Sequence, residues 1–121
     1  MPKSARTPRP GKLRVRILSG SAIAIGPGKA DLLVAVSATG SISAAARQMR
    51  MSYRRAWLLV HTMNECFTTP VIEAAKGGPD GGGARLTDAG REILTRYQDT
   101  VRAANKALGP YLRPRAATKR R

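Results

Sequence analysis

The chain is poor in the groups that usually carry out chemistry. Its 121 residues include one cysteine, one histidine and seven carboxylates. A single Cys66 excludes an internal disulfide and any cysteine-cluster metal site, and its place beside an apolar helical stripe marks it as a core thiol rather than a redox sensor. The carboxylates are scattered, with no nucleophile–base spacing and no ligand cluster, so neither an enzyme nor a metal or other cofactor is expected. No apolar run approaches the length of a spanning helix, and Met1–Gly11 lacks the apolar stretch of a secretory signal. Both absences predict a cytoplasmic protein with no membrane role. With 42% apolar and only 4% aromatic residues, the chain can bury one modest core.

Acidic residues are missing altogether from the two ends. Residues 1–16 and 113–121 hold eleven of the 22 basic residues and no acid, which leaves eleven bases against seven acids between them. Such basic, proline-containing ends cannot bury enough apolar area to fold. Residues 1–12 and 109–121 therefore read as disordered arms around a folded domain at 13–108, attracted to polyanions or serving only solubility.

What is present is organised around Gly40–Phe67, GSISAAARQMRMSYRRAWLLVHTMNECF. Ser43 is expected to cap a first helix whose inward side is Ala45, Ala46 and Met49, with Ile42 packing just before it. Ser52 is expected to cap a second. There Ala56, Val60, Met63 and Phe67 recur at the helical period and form a buried stripe, opposite Arg54, Leu58, His61 and Glu65. Only Arg50 and Met51 are left to turn between the helices, and Ala45 and Ala46 permit a close crossing. This is helix-turn-helix spacing. A second helix that begins Ser-Tyr-Arg-Arg offers hydroxyls and guanidiniums to phosphates and base edges, while an ordinary helical hairpin with a solvated basic face is the plainer alternative.

Around this core, Leu13, Val15 and Ile17 alternate with arginines and Ile23 and Ile25 with alanines, predicting a hairpin that turns at Ser19-Gly20-Ser21. GPGKAD at 26–31 is not a phosphate loop, because no glycine stands five positions before Gly28 and Ala30 replaces the required Ser or Thr. A helix is predicted from Pro27 to Thr39 with Gly40 as its stop. Val71–Ala74 and Ala84–Leu86 read as strands around a glycine-rich ribbon, which is either the tip of a wing or a slack loop. Thr87 caps a helix in which Ala89, Ile93, Tyr97, Val101, Ala104 and Leu108 share one side, and Gly109-Pro110 ends it. A helix from Asp88 to Leu108 is about 30 Å long, more than so small a domain covers. Ile93, Tyr97, Val101, Ala104 and Leu108, with the N-terminal hairpin, are therefore the candidate homodimer surface, the alternative being a monomer with a protruding, frayed helix.

The fold class is thus mostly α with small β: a winged helix-turn-helix with an N-terminal β-hairpin and a long C-terminal helix. The words GSISAAA, MSYRRAW, Met63-Asn64, GGPDGGGARLT and the following Gly90 resemble the N-terminal domain of the molybdate-responsive transcriptional regulator family (ModE). A looser likeness to the DNA-binding domain of LysR-type regulators runs through Ser52 and Leu86-Thr87-Asp88-Ala89-Gly90. The resemblance implies a sequence-specific regulator of double-stranded DNA, associated with the nucleoid. Family members that sense molybdate carry small β-barrel domains after the long helix. Because the sequence stops at Arg121, the expectation is a regulator lacking the molybdate-binding domain, open to a separate effector-sensing partner.

Arg54 is the first candidate for a base contact, because guanine offers a guanidinium two acceptors. Tyr53, Trp57 and Leu58 follow as partners for thymine methyls and sugars, with packing beside the buried stripe an equal reading for Trp57. Arg47, Arg50 and Arg55 are candidates for phosphates, and Ser43, Ser52 and His61 complete the surface. In the wing, Pro79-Asp80 stands where the family pattern has a lysine, so contacts there are expected from Lys76, Arg85 and backbone amides. The alternative is a non-specific nucleic-acid-binding protein of the nucleoid or of RNA, which the basic arms alone would support.

Overall fold

The structure, a computed structural model, describes residues 8–9, 13–76, 83–113 and 115–116. In chain order its elements are β1 (Pro8–Arg9), β2 (Ile17–Ser19), β3 (Ala22–Ile25), α1 (Pro27–Thr39), α2 (Ile42–Gln48), α3 (Tyr53–Cys66), β4 (Ile72–Ala75), β5 (Gly83–Leu86), α4 (Asp88–Leu108), a 3-10 turn at Gly109–Tyr111, and β6 (Arg115–Ala116). The winged helix-turn-helix order read from the sequence is the order observed. The chain divides into two compact units, residues 15–97 and residues 1–14 together with 98–121.

In the first unit α1 starts and stops where its punctuation requires. Pro27 opens it, and Gly40 closes it with φ 81°, its N–H donating to the Val36 carbonyl. Leu32, Leu33 and Val36 are fully buried, together with Ile25, Met63 and Val71. Large apolar side chains of this kind contribute about 1.5–3 kcal/mol each on burial.

The cap of α2 differs from the expectation. Ser41 holds the position, with extended backbone (φ −154°, ψ 152°) and its Oγ accepting from the Ala44 N–H at 3.0 Å. The left-handed Gly40 ends α1 so abruptly that the next residue is already the cap. Ser43 therefore lies inside the first turn, and Ile42 opens the helix instead of preceding it.

Between α2 and α3, Arg50 takes a left-handed conformation with φ 59°. Its N–H donates to the Arg47 carbonyl and that of Met51 to the Ala46 carbonyl. This pair of bonds closes a helix C-terminus, usually around a glycine. Ser52 caps α3 as expected, its Oγ accepting from the Arg55 N–H at 3.0 Å. Ala56, Val60 and Met63 are buried, whereas Phe67 lies past the end of the helix and is half-buried. Cys66, in the last helical position, is also half-buried.

The predicted hairpin forms, but shorter. Strand β2 pairs antiparallel with β3 from Ser19↔Ala22 to Ile17↔Ile25, with an irregularity between Ile17 and Leu18. Leu13–Arg16 do not join it. The Val15 carbonyl is engaged elsewhere, accepting from the Tyr97 hydroxyl at 2.6 Å. Strands β4 and β5 pair antiparallel with Glu73 opposite Arg85 and Ala74 opposite Ala84. The expected ribbon tip, including Pro79-Asp80, lies outside the described residues. Thr87 caps α4, its Oγ1 accepting from the Gly90 N–H at 2.9 Å.

In the second unit β1 pairs antiparallel with β6. The Asn105 side chain accepts from the Leu13 N–H at 2.9 Å and donates to the Val101 carbonyl at 3.0 Å. Of the expected arms at 1–12 and 109–121, residues 1–7, 10–12, 114 and 117–121 lie outside the described residues, and the described ones form β1, the 3-10 turn and β6. No helix among the described residues is long and apolar enough to cross a membrane.

Candidate nucleic-acid interface

The candidate surface is built on α3. A helical step of about 100° carries Arg54, Leu58 and His61 to the side opposite Ala56, Val60 and Met63, with Trp57 at its flank toward the wing. All four are exposed, as are Tyr53 and Arg55. Trp57 is 44%, Leu58 47% and Tyr53 55% exposed, so three large side chains with apolar area are grouped on the first two turns of one helix. The rings of Trp57 and His61 stack with centroids 5.2 Å apart and planes 4° from parallel. The first turn of α3 holds no acid, and the positive end of the helix dipole adds to Arg54 and Arg55.

Arg47 and Arg50 are exposed at the α2 end of the turn. Ser43 is half-buried and lines a groove of about 430 Å³ between the start of α3 and the wing, with Tyr53, Trp57, Ile72, Ala74 and Ala84. Ser52 is exposed, its oxygen engaged as the α3 cap. Within the wing, Lys76 is exposed, while Arg85 donates from Nε to the Glu73 carboxylate at 2.8 Å.

Several bonds hold the wing in place, and sequence reasoning did not foresee them. Oδ1 of Asn64 accepts from the N–H of Val71 at 2.8 Å and of Ile72 at 3.3 Å, and its Nδ2 donates to the Ile72 carbonyl at 3.2 Å. The Val71 carbonyl accepts from the Thr87 N–H at 3.0 Å, and the Thr87 hydroxyl donates to the Pro70 carbonyl at 2.6 Å. Gly90 is packed so close that a Cβ there would lie 2.1 Å from the Val71 oxygen. On β5, the Ala84 N–H donates to the Gly40 carbonyl at 2.9 Å. The available signal was a polar Asn64 one step from the buried Met63, where a solvated side chain was not required.

The residues expected to dimerise differ in their surroundings. Tyr97 is buried and its hydroxyl is bonded to Val15 within the chain, so it contributes to the chain's own packing. Its pKa is raised, chiefly by desolvation and then by Asp31, with Arg16 opposing. Ile93, Val101 and Ala104 are half-buried, and Leu108 is 56% exposed. Among the described residues no three His, Cys, Asp or Glu side chains are grouped to hold a metal ion.

Comparison with known proteins matches residues 29–91 to the family described as bacterial regulatory helix-turn-helix protein, lysR family. The chain is 44% identical over 81 residues to the molybdenum-pterin-binding protein MopB of Rhodobacter capsulatus, covering 67% of this chain and 30% of that protein. It is 42% identical over 67 residues to the molybdenum transport protein ModE of Azotobacter vinelandii, covering 55% and 25%. To the DNA-binding transcriptional dual regulator ModE of Escherichia coli (strain K12) it is 35% identical over 81 residues, covering 67% and 31%. The matched residues thus span between a quarter and a third of the length of these relatives. The matched residues include the capped α2 and α3, the wing and the Gly90 contact described above, and the chain belongs to the lysR family of bacterial regulatory helix-turn-helix proteins, with a helix-turn-helix of the ModE kind.

Proposed function

We propose that this domain binds double-stranded DNA at preferred sequences and regulates transcription, with α3 as the element that enters the major groove. The observation that carries the reading is the exposed side of α3, where Arg54, Leu58 and His61 point away from the core and Trp57 flanks them beside a tethered wing. Arg54 reads a base, most favourably guanine through two hydrogen bonds. Tyr53, Trp57 and Leu58 meet thymine methyls and sugars. Arg47, Arg50, Arg55 and Lys76 hold phosphates, with Ser43, Ser52 and Arg85 at the margins. Two copies of the chain, joined through Ile93, Val101, Ala104 and Leu108, present two such helices to half-sites about 34 Å apart. The domain works in the cytoplasm on the nucleoid, alone or with a separate effector-sensing partner. The molybdenum-related activities in the names of the relatives belong to proteins more than twice as long, and the proposal for this chain is confined to DNA.

The test is selection of bound duplexes from random DNA, followed by the same selection with Arg54→Ala. The expected outcome is a preferred site that survives excess competitor, with preference relaxed at one base position in the variant, a change of about 1–3 kcal/mol. Equal weakening on all sequences would remove the base-reading role. The bases concentrated at the two ends favour a second reading, a charge-driven binder without preference. That reading requires affinity that falls steeply with salt and no selected site.

A further inference from the structure

Residues 67–71, which connect α3 to β4, form neither helix nor strand. Their backbone does not by itself set the direction in which the wing leaves the recognition helix. The side chain of Asn64, in the last turn of α3, takes on that task. Its amide engages both N–H groups of Val71 and Ile72 and the carbonyl of Ile72. The Val71 carbonyl is held from the other side by the Thr87 N–H, so both polar groups of that buried residue are fixed, one by α3 and one by the cap of α4.

We propose that Asn64 is a positioning residue for DNA recognition, holding the wing cations at a fixed distance and angle from the bases read by α3. The inference rests on the DNA reading above. Only an amide of this length meets the requirement. Aspartate keeps the acceptor for the two N–H groups but turns a second oxygen toward the Ile72 carbonyl, and glutamine carries its amide one methylene too far. Asn64 itself touches no DNA, so its effect is transmitted through Lys76 and Arg85. Loss of the clamp leaves the β4–β5 pairing, the Thr87–Val71 bond and the Ala84–Gly40 bond in place, so the wing stays folded and attached through β5 while β4, which leads to Lys76, loosens from α3.

Two measurements on the full chain decide the matter. In the free protein, residual dipolar couplings of the β4 and β5 amides report their orientation relative to α3. Asn64→Ala is expected to average the wing couplings toward smaller values while those of α3 stay unchanged, and Asn64→Asp to do so partly. Wing couplings unchanged in both variants overturn the proposal whether or not any DNA is bound. With a selected duplex, Asn64→Ala is expected to weaken binding roughly tenfold, about the contribution of one charge-assisted contact. That loss should not add to the loss from Lys76→Ala, because a loosened β4 no longer delivers the lysine, and it should add fully to the loss from Arg54→Ala. If Lys76→Ala costs the same factor with and without Asn64, the residue is merely structural and the proposal fails. If the wild-type chain selects no duplex, the DNA reading fails and takes the recognition role of Asn64 with it, while the couplings still decide whether Asn64 orients the wing.

Discussion

Gly90→Ala is the substitution for which the structure gives the clearest sign. In a solvated helix this change stabilises by about 0.5–1 kcal/mol, because alanine loses less backbone entropy on folding. At Gly90 the added methyl would sit 2.1 Å from the Val71 oxygen and 2.9 Å from its carbonyl carbon. Relief requires α4 and the Pro70–Ile72 segment to separate by about 1 Å, an overpacking cost of about 1–3 kcal/mol. The same separation stretches the bond from the Thr87 N–H to that oxygen, now 3.0 Å, and leaving the buried carbonyl unpaired costs about 1–3 kcal/mol more. Set against the propensity gain, the net is a destabilisation of about 1–5 kcal/mol, or roughly 5–25 °C in Tm for a domain of this size. Thermal and urea unfolding followed by circular dichroism measure it directly. Gly28→Ala supplies the control, since Gly28 lies in the first turn of α1 with nothing within 4 Å of an added methyl, and it should hold or gain stability. If Gly90→Ala matches Gly28→Ala, the close approach of α4 to Val71 is wrong, and with it the account of how the wing is anchored.

Three further outcomes follow from individual side chains. Arg50→Gly relieves the left-handed backbone at φ 59° and should raise stability by about 0.5–1 kcal/mol while weakening DNA binding and lowering its salt slope by about one. Tyr97→Phe removes the bond to the Val15 carbonyl and should cost about 1 kcal/mol near neutral pH. The folded-state pKa of Tyr97 is raised, so its contribution is complete below the unfolded pKa and is lost as pH climbs through the folded one. Unfolding curves of the wild type should therefore show an alkaline loss of stability that Tyr97→Phe lacks. Glu73→Gln frees Arg85 from an exposed ion pair, which should leave stability nearly unchanged but raise affinity for all duplexes and steepen the salt dependence by about one unit; unchanged salt dependence would place Arg85 away from phosphate.

The elements legible in the sequence are those bounded by residues whose effect is local. Pro27 and Gly40 fix α1, Ser52 and the Ala56–Val60–Met63 spacing fix α3, and Thr87 with Gly109-Pro110 fixes α4. What escaped depended on partners distant along the chain. Ser41 and Ser43 carry the same capping chemistry, and only the conformation of Gly40 selects between them. Strand β2 is cut short where the Val15 carbonyl pairs with Tyr97, a contact no periodicity encodes.

The residues that carried the family resemblance divide along the same line. Asn64, Leu86, Thr87 and Gly90 turn out to hold or adjoin the wing anchor, each through a buried contact or a backbone bond. Tyr53, Arg54 and Trp57 face outward with no structural task that demands their identity. The first group fixes where the wing stands relative to α3, and the second determines what α3 meets. A relative that keeps the anchor but changes Arg54, Trp57, Leu58 or His61 should therefore hold the same geometry on a different DNA sequence. One that keeps the outward residues but loses Asn64 should read the same bases with a misplaced wing.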